Sequence, residues 1–169
     1  GNVDLDAADG ITINDDFTTN GDTDFNADTD AAGAGIFTLN NVTLDTQNNP
    51  LTLTLADLVL VPNASIVVGN ATFTVNESQN NGFGVGETTV AGGINISGAE
   101  LQSIFVAANV TFNTGASIAV DNITAANSGN IGILNLIAGQ NITFDDDSTF
   151  KTLNANADDG VFINTAGST

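Results

Sequence analysis

Apolar and polar residues alternate with a period of two along almost the whole chain. The pattern is explicit in "VDL" (3–5), "ITI" (11–13), "FTL" (37–39), "VTL" (42–44), "LTLTL" (51–55), "FTV" (73–75), "INI" (94–96), "VTF" (110–112), "ITF" (142–144) and "VFI" (161–163). In most of these, two apolar side chains flank a Thr, Asp or Asn, so each reads as a short strand with one buried face. The inward set is Val3, Leu5, Ile11, Ile13, Val42, Leu44, Ile94, Ile96, Val110, Phe112, Ile142, Phe144, Val161 and Ile163. Gly, Asn, Asp and Ser fill the intervals, as turns demand. Only "SGAELQSIFVAANV" (97–110) departs, with helical spacing at Leu101, Ile104 and Phe105. Without a clear cap and with a β-branched end, it fits a one-turn helix and a kinked strand equally.

Many strands of three to five residues suit either a β-sandwich or a parallel β-solenoid. Internal repetition favours the second. Residues 1–19 match 151–169 at Ala7/Ala157, Asp9/Asp159, Gly10/Gly160, Ile13/Ile163, Asn14/Asn164 and Thr19/Thr169. A second alignment pairs Leu5 with Leu136, Ala7 with Ala138, Ile11 with Ile142, Thr12 with Thr143, Asp15 with Asp146, Asp16 with Asp147 and Thr18 with Thr149. The two offsets differ by 19, which predicts a coil of about 19 residues. The expectation is a single all-β module over 1–169, a parallel β-helix of about eight or nine coils, roughly 40 Å long at ~4.8 Å per coil. Its opening on "GNVDLDA" reads as a strand in mid-course, so the segment is expected to be part of a longer repetitive protein.

Charge then narrows the partners. The net charge is -19, with one basic residue, Lys151, and no His or Cys. Nucleic acid and anionic membrane surfaces are bound through Lys and Arg, so neither is an expected partner. There is no thiolate, no disulfide framework and no histidine base. No run of 18 apolar residues occurs, so no spanning helix is expected.

Three stretches carry a family resemblance: "GNVDLDAADGITINDDFTTNGDTDFNADTD" (1–30), "GGINISGAELQSIFVAANVTF" (92–112) and "LNLIAGQNITFDDDSTFKTLNANADDGVFIN" (134–164). Their degenerate G-x-(I/V)-T-(I/L)-x-(A/G) style resembles the repeats of filamentous-haemagglutinin-type exoproteins of bacterial two-partner secretion. The likeness covers most of the chain and is weakest at 46–90. It implies a right-handed parallel β-helix, export through an outer-membrane secretion pore, and an extracellular or cell-surface location. The Asn-rich motifs of that family's secretion domain are not placed here, so the resemblance implies shaft. On this reading the segment is a structural shaft of an adhesin-like or filament-forming protein, with ends open or stacked on further copies of itself. A carbohydrate- or receptor-binding module on the same scaffold, taking surface glycans or receptors, is the alternative. An exposed apolar patch at 51–61 would favour it.

The carboxylates are the candidate chemistry. Nine of the twenty lie in 1–30 and five in 145–169. Hard oxygen ligands in turns suit calcium, and the candidate ligands are Asp22, Asp24, Asp28 and Asp30, with Asp145, Asp146 and Asp147. Neither an EF-hand nor a GGxGxDxUx repeat is present, so a solvated acidic face explains the same residues. An enzyme is not expected: paired carboxyls could hydrolyse glycosides, but uronate substrates would need the Arg and Lys that are missing. Thr52/Thr54 and Thr72/Thr74 resemble ice-binding ladders only locally. Eight N-x-S/T sequons begin at Asn41, Asn63, Asn70, Asn76, Asn95, Asn109, Asn122 and Asn141, and a turn-then-strand sequence explains them without glycosylation. The other Asn residues are expected to form ladders between adjacent coils.

Overall fold

The computed structural model describes residues 1–164, and its strands follow one another in successive passes. The first pass is β1 (Val3–Asp6), β2 (Ile11–Ile13) and β3 (Phe17–Thr18). The second is β4 (Thr23–Asn26), β5 (Ile36–Leu39) and β6 (Thr43–Asp45), and the third β7 (Leu51–Leu55), β8 (Asp57–Leu60) and β9 (Ser65–Gly69). A fourth runs through β10 (Phe73–Glu77), β11 (Phe83–Gly86), β12 (Ile94–Ile96) and a short helix, α1 (Gly98–Gln102). Then come β13 (Ile104–Thr114), β14 (Ile118–Asp121) and a second short helix, α2 (Ala125–Ser128). The chain continues through β15 (Ile131–Ala138), β16 (Asn141–Phe144), β17 (Leu153–Ala157) and β18 (Gly160–Ile163).

Every strand pair among the described residues is parallel, which excludes the sandwich. Parallel neighbours need a crossover, and here the rest of a pass supplies it. The run β1-β4-β7-β10-β13-β15-β17 is continuous, with one register shift, between Val106 and Asn109 where β13 meets β15. One inward row reads Val3, Thr23, Leu51, Phe73, Val110, Leu134, Leu153, and the next Leu5, Phe25, Leu53, Val75, Phe112, Leu136, Ala155. Between them an outward row reads Asp4, Asp24, Thr52, Thr74, Thr111, Asn135, Asn154. The alternation of the sequence thus becomes continuous stripes along the stack.

The inward stripes meet in one apolar cluster. Phe25 stacks on Phe37 with ring centroids 5.5 Å apart, and Phe83 on Phe112 at 5.3 Å. All four rings are fully buried, each stabilising the fold by roughly 1.5–3 kcal/mol relative to an exposed ring. Three expected core residues are exposed instead: Leu5, Val161 and Ile163. Among the described residues their strands β1 and β18 each have a neighbour on one side only, so no described strand covers these inward-phase side chains from the other.

The expected spacing and coil number also need correction. Leu134 and Leu153 are registered 19 residues apart, but Phe73 and Val110 are 37 apart. The corners absorb the difference, because extra residues there leave the ladder untouched. Among the described residues the stack from β1 to β17 is seven strands deep, against the expected eight or nine coils. The phase itself holds: Leu5 and Leu136 share one inward row. The Thr19/Thr169 match lies outside the described residues.

Residues 97–110 resolve into a helix and then a strand. The missing cap is present after all: the Ser97 hydroxyl accepts from the Glu100 amide at 3.3 Å, and Glu100 accepts from the Ser97 amide at 2.9 Å. Thr124 and Asn127 build the same reciprocal box for α2, which the alternation does not announce. β13 then pairs with β9 through Ile104–Val106 and with β10 through Val110–Asn113, so one strand joins two stacks.

On the neighbouring face the ladder is interrupted. β2-β5-β8 forms one small sheet and β12-β11-β14-β16-β18 another. Between them the amide of Asn95 donates to Asp57 Oδ1 at 3.4 Å, and the amide of Leu60 donates to Glu100 Oε1 at 3.2 Å. Two carboxylates stand where strand carbonyls would be. At the corner after β11, the φ of Gly86 is +100°, and a Cβ there would lie 1.8 Å from the Asp121 carbonyl oxygen. Only glycine fits.

The strand phase is checked by two adjacent substitutions. Ile142 is fully buried and Thr143 half-buried. Ile142→Asp should cost more than about 3 kcal/mol by placing an unpaired charge in the core, whereas Thr143→Asp should cost less than ~1 kcal/mol. Urea titrations of the two variants measure the difference, and equal losses would refute the phase.

Candidate functional site

The acidic residues separate into a solvated majority and two buried exceptions. Asp22, Asp24 and Asp30 are exposed, as are Asp145, Asp146 and Asp147. Asp24 sits opposite Asp4 in the outward row. Its pKa is raised from the ordinary carboxylate value by partial desolvation and by the charges of Asp4 and Asp6. Asp30 Oδ1 accepts from the amide of Ala32 at 3.1 Å, and Asp145 Oδ1 accepts from the Asn164 amide side chain at 2.9 Å.

Asp28 behaves differently from its three neighbours in sequence. The alternation breaks after Asn26, whose Oδ1 accepts from the Asp28 amide at 3.2 Å, and the carboxylate turns inward. Its Oδ2 accepts from Ser78 Oγ at 2.5 Å and from Gln79 Nε2 at 2.6 Å. Its Oδ1 is buried with no hydrogen-bond partner among the described residues. Glu77 is the second buried acid, in phase with Phe73 and Val75 along "FTVNE". It accepts from the amides of Gln79, Asn81 and Gly82 and from Thr114 Oγ1, at 2.7, 3.0, 3.5 and 2.9 Å. Both acids clamp the turn over 78–82. The alternation alone could have placed Glu77 inside, since an apolar-phase Glu before "SQNNG" has to find donors.

The expected calcium ligands are not brought together as a set. Asp22 and Asp24 lie on and beside β4, Asp28 is buried beneath the 78–82 turn, and Asp145–Asp147 lie at the corner after β16. At that corner a different grouping forms. The pKa of Asp121 is raised by desolvation and then by Asp146, Glu87 and Asp145. Glu87 and Asp121 are remote from 145–147 in sequence, and register alone makes them neighbours. Among the described residues no three carboxylates converge tightly enough to hold a metal ion. Asp57 too is raised, chiefly by its half-burial.

Amides rather than acids form the regular ladders. Asn40 donates to Asn14 at 3.0 Å, Asn63 to Asn41 at 3.1 Å, Asn113 to Asn76 at 3.0 Å and Asn154 to Asn135 at 2.8 Å. Asn41, Asn63 and Asn122, three of the sequon asparagines, have positive φ, which fits their reading as turn residues. Residues 51–61 expose no apolar patch, since none of them is exposed. Among the described residues no helix is long and apolar enough to cross a membrane. No family model, curated protein or solved structure matches the chain.

Two outcomes follow from the carboxylates. Asp24, Asp57 and Asp121 have folded pKa values above the unfolded one, so each favours the fold below 3.8 and loses that contribution as pH rises through its folded value. The melting temperature should therefore rise as pH is lowered from neutrality towards 3.8, and added salt at pH 7 should raise it by screening the same repulsions. A rise with millimolar calcium beyond that given by matched ionic strength would mark ion binding. Glu77→Ala should destabilise by about 1–3 kcal/mol, because it strands the buried Gly82 amide and Thr114 hydroxyl. Denaturant unfolding measures it, and a loss below ~0.5 kcal/mol would refute the clamp.

Proposed function

We propose that this chain is a shaft: a right-handed parallel β-helix segment of a secreted or cell-surface bacterial protein, adhesin-like or filament-forming. The observation that carries the reading is the register of the outward and inward rows across the run from β1 to β17. Such rows resist bending through repetition, and at ~4.8 Å per layer seven layers give a rod about 34 Å long. The resemblance to filamentous-haemagglutinin-type repeats supports the same role and, with it, export through an outer-membrane pore. Work of a mechanical kind also suits the two buried acids, since Asp28 Oδ2 and both oxygens of Glu77 hold one turn. The proposed role is non-enzymatic.

A shaft made of interchangeable layers tolerates the loss of one. Leu134 is registered with Leu153 and Ile142 with Val161, so deleting residues 134–152 should bring Leu153 onto Val110 and leave a shorter folded chain. Circular dichroism should retain its β signal per residue and the melt should stay cooperative. A variant that is unfolded or aggregated would sink the shaft reading.

A further inference from the structure

We propose that a second copy of this chain seats its β1–β2 layer on the edge of β17–β18 that no strand among the described residues occupies, head to tail and in register. The proposal rests on the stacked-layer reading above and specifies the joint.

Spacing is the first argument. In the last three layers the inward residue registered on the long sheet and the one registered on the next sheet are eight apart: Val110 and Ile118, Leu134 and Ile142, Leu153 and Val161. The intermediate layers differ, with Thr23 and Phe37 fourteen apart, Leu51 and Leu58 seven, and Phe73 and Phe83 ten. The first layer returns to eight, with Val3 and Ile11. Setting Val3 opposite Leu153 therefore sets Ile11 opposite Val161 without adjustment of either layer. None of the second to fourth layers would fit that edge in this way.

Chemistry at the joint is the second argument. Inward residues Val3 and Leu5 would meet Leu153 and Ala155, and Ile11 and Ile13 would meet Val161 and Ile163. Leu5 is 40% and Ile163 79% exposed, although both are in the inward phase. A cavity of about 470 Å³ also opens at this edge, lined in part by Phe144, Phe150, Leu153 and Ile163. Outward residues Asp4 and Asp6 would face Asn154 and Asn156, a carboxylate against an amide. Joining β1 to another β1 would instead set Asp4 and Asp6 against their own copies, which is unfavourable. The charge pattern selects the head-to-tail arrangement. Such a contact is heterologous and does not close, so its product is an open filament. Asp9 would still approach Asp159, so salt should promote growth.

The test uses the 169-residue chain and two blocked variants. Leu5→Lys blocks the first edge and Ile163→Lys the last; both sites are exposed, and circular dichroism with thermal melting checks that the variants fold. Sedimentation of the wild type should show species that lengthen with concentration. Each variant alone should be a monomer, and an equal mixture should give dimers, because one compatible joint remains. Register is read separately with Asp4→Cys and Asn154→Cys in a chain that has no other cysteine. In-register neighbours lie within the roughly 4.4–6.8 Å that a disulfide spans, so oxidation of the mixture should cross-link it. A wild type that stays monomeric at high concentration, a closed dimer, a mixture that does not pair, or an absence of cross-link would each overturn the joint. A wild-type monomer beside a folded layer-deletion variant would remove the joint and leave the shaft.

Discussion

The in-register parallel ladder is the constraint from which the rest of the molecule follows. It sets each residue beside its equivalent in the next layer, so a choice made at one position is repeated on its neighbour. Apolar residues gain most from that rule, because Phe25, Leu53, Val75 and Phe112 pack into one stripe. Amides gain too, since Asn is donor and acceptor at once and can bond to a copy of itself. Carboxylates lose, because an ionised Asp accepts only. Asp4 above Asp24 is the direct case: partial desolvation raises the pKa of Asp24, and the charges of Asp4 and Asp6 raise it further.

Much of this was legible because a period-two pattern carries its phase with it. "FTV" at 73–75 and "VTF" at 110–112 each fix which side chains face in, and the two segments are indeed registered partners. Length between strands was not legible. A corner can hold a tight turn, a capped helix or a doubled strand without changing what the ladder sees, so a constant 19-residue period failed over 73–110. The capping box at Ser97 and Glu100 was readable in principle, but alternation in the flanking strands masked a four-residue signal.

The acids show a second limit. A count of Asp along the sequence finds the clusters at 1–30 and 145–147, yet the groupings that matter are made across layers. Asp121 and Glu87 join Asp145 and Asp146 only through register, and Asp28 meets Ser78 and Gln79 only because the 78–82 turn folds over it. Conversely, residues adjacent in sequence part company: Asp28 goes inward while Asp30 caps a surface amide. Proximity along the chain predicts charge density, but register decides which charges touch.

The interruption between β8 and β12 has a mechanical consequence. On the first face the ladder runs through β10, β13 and β15 without interruption, so that side is a continuous tension member. On the face of β8 and β12, the layers are tied by the Asp57 and Glu100 carboxylates instead of by a strand ladder. Side-chain links have torsions that can rotate, whereas a ladder of peptide bonds does not. Flexural compliance is therefore concentrated at one level of the stack and on one side of it. Under a lateral load the molecule would bend at that level, opening on the carboxylate side and keeping the β13 side intact.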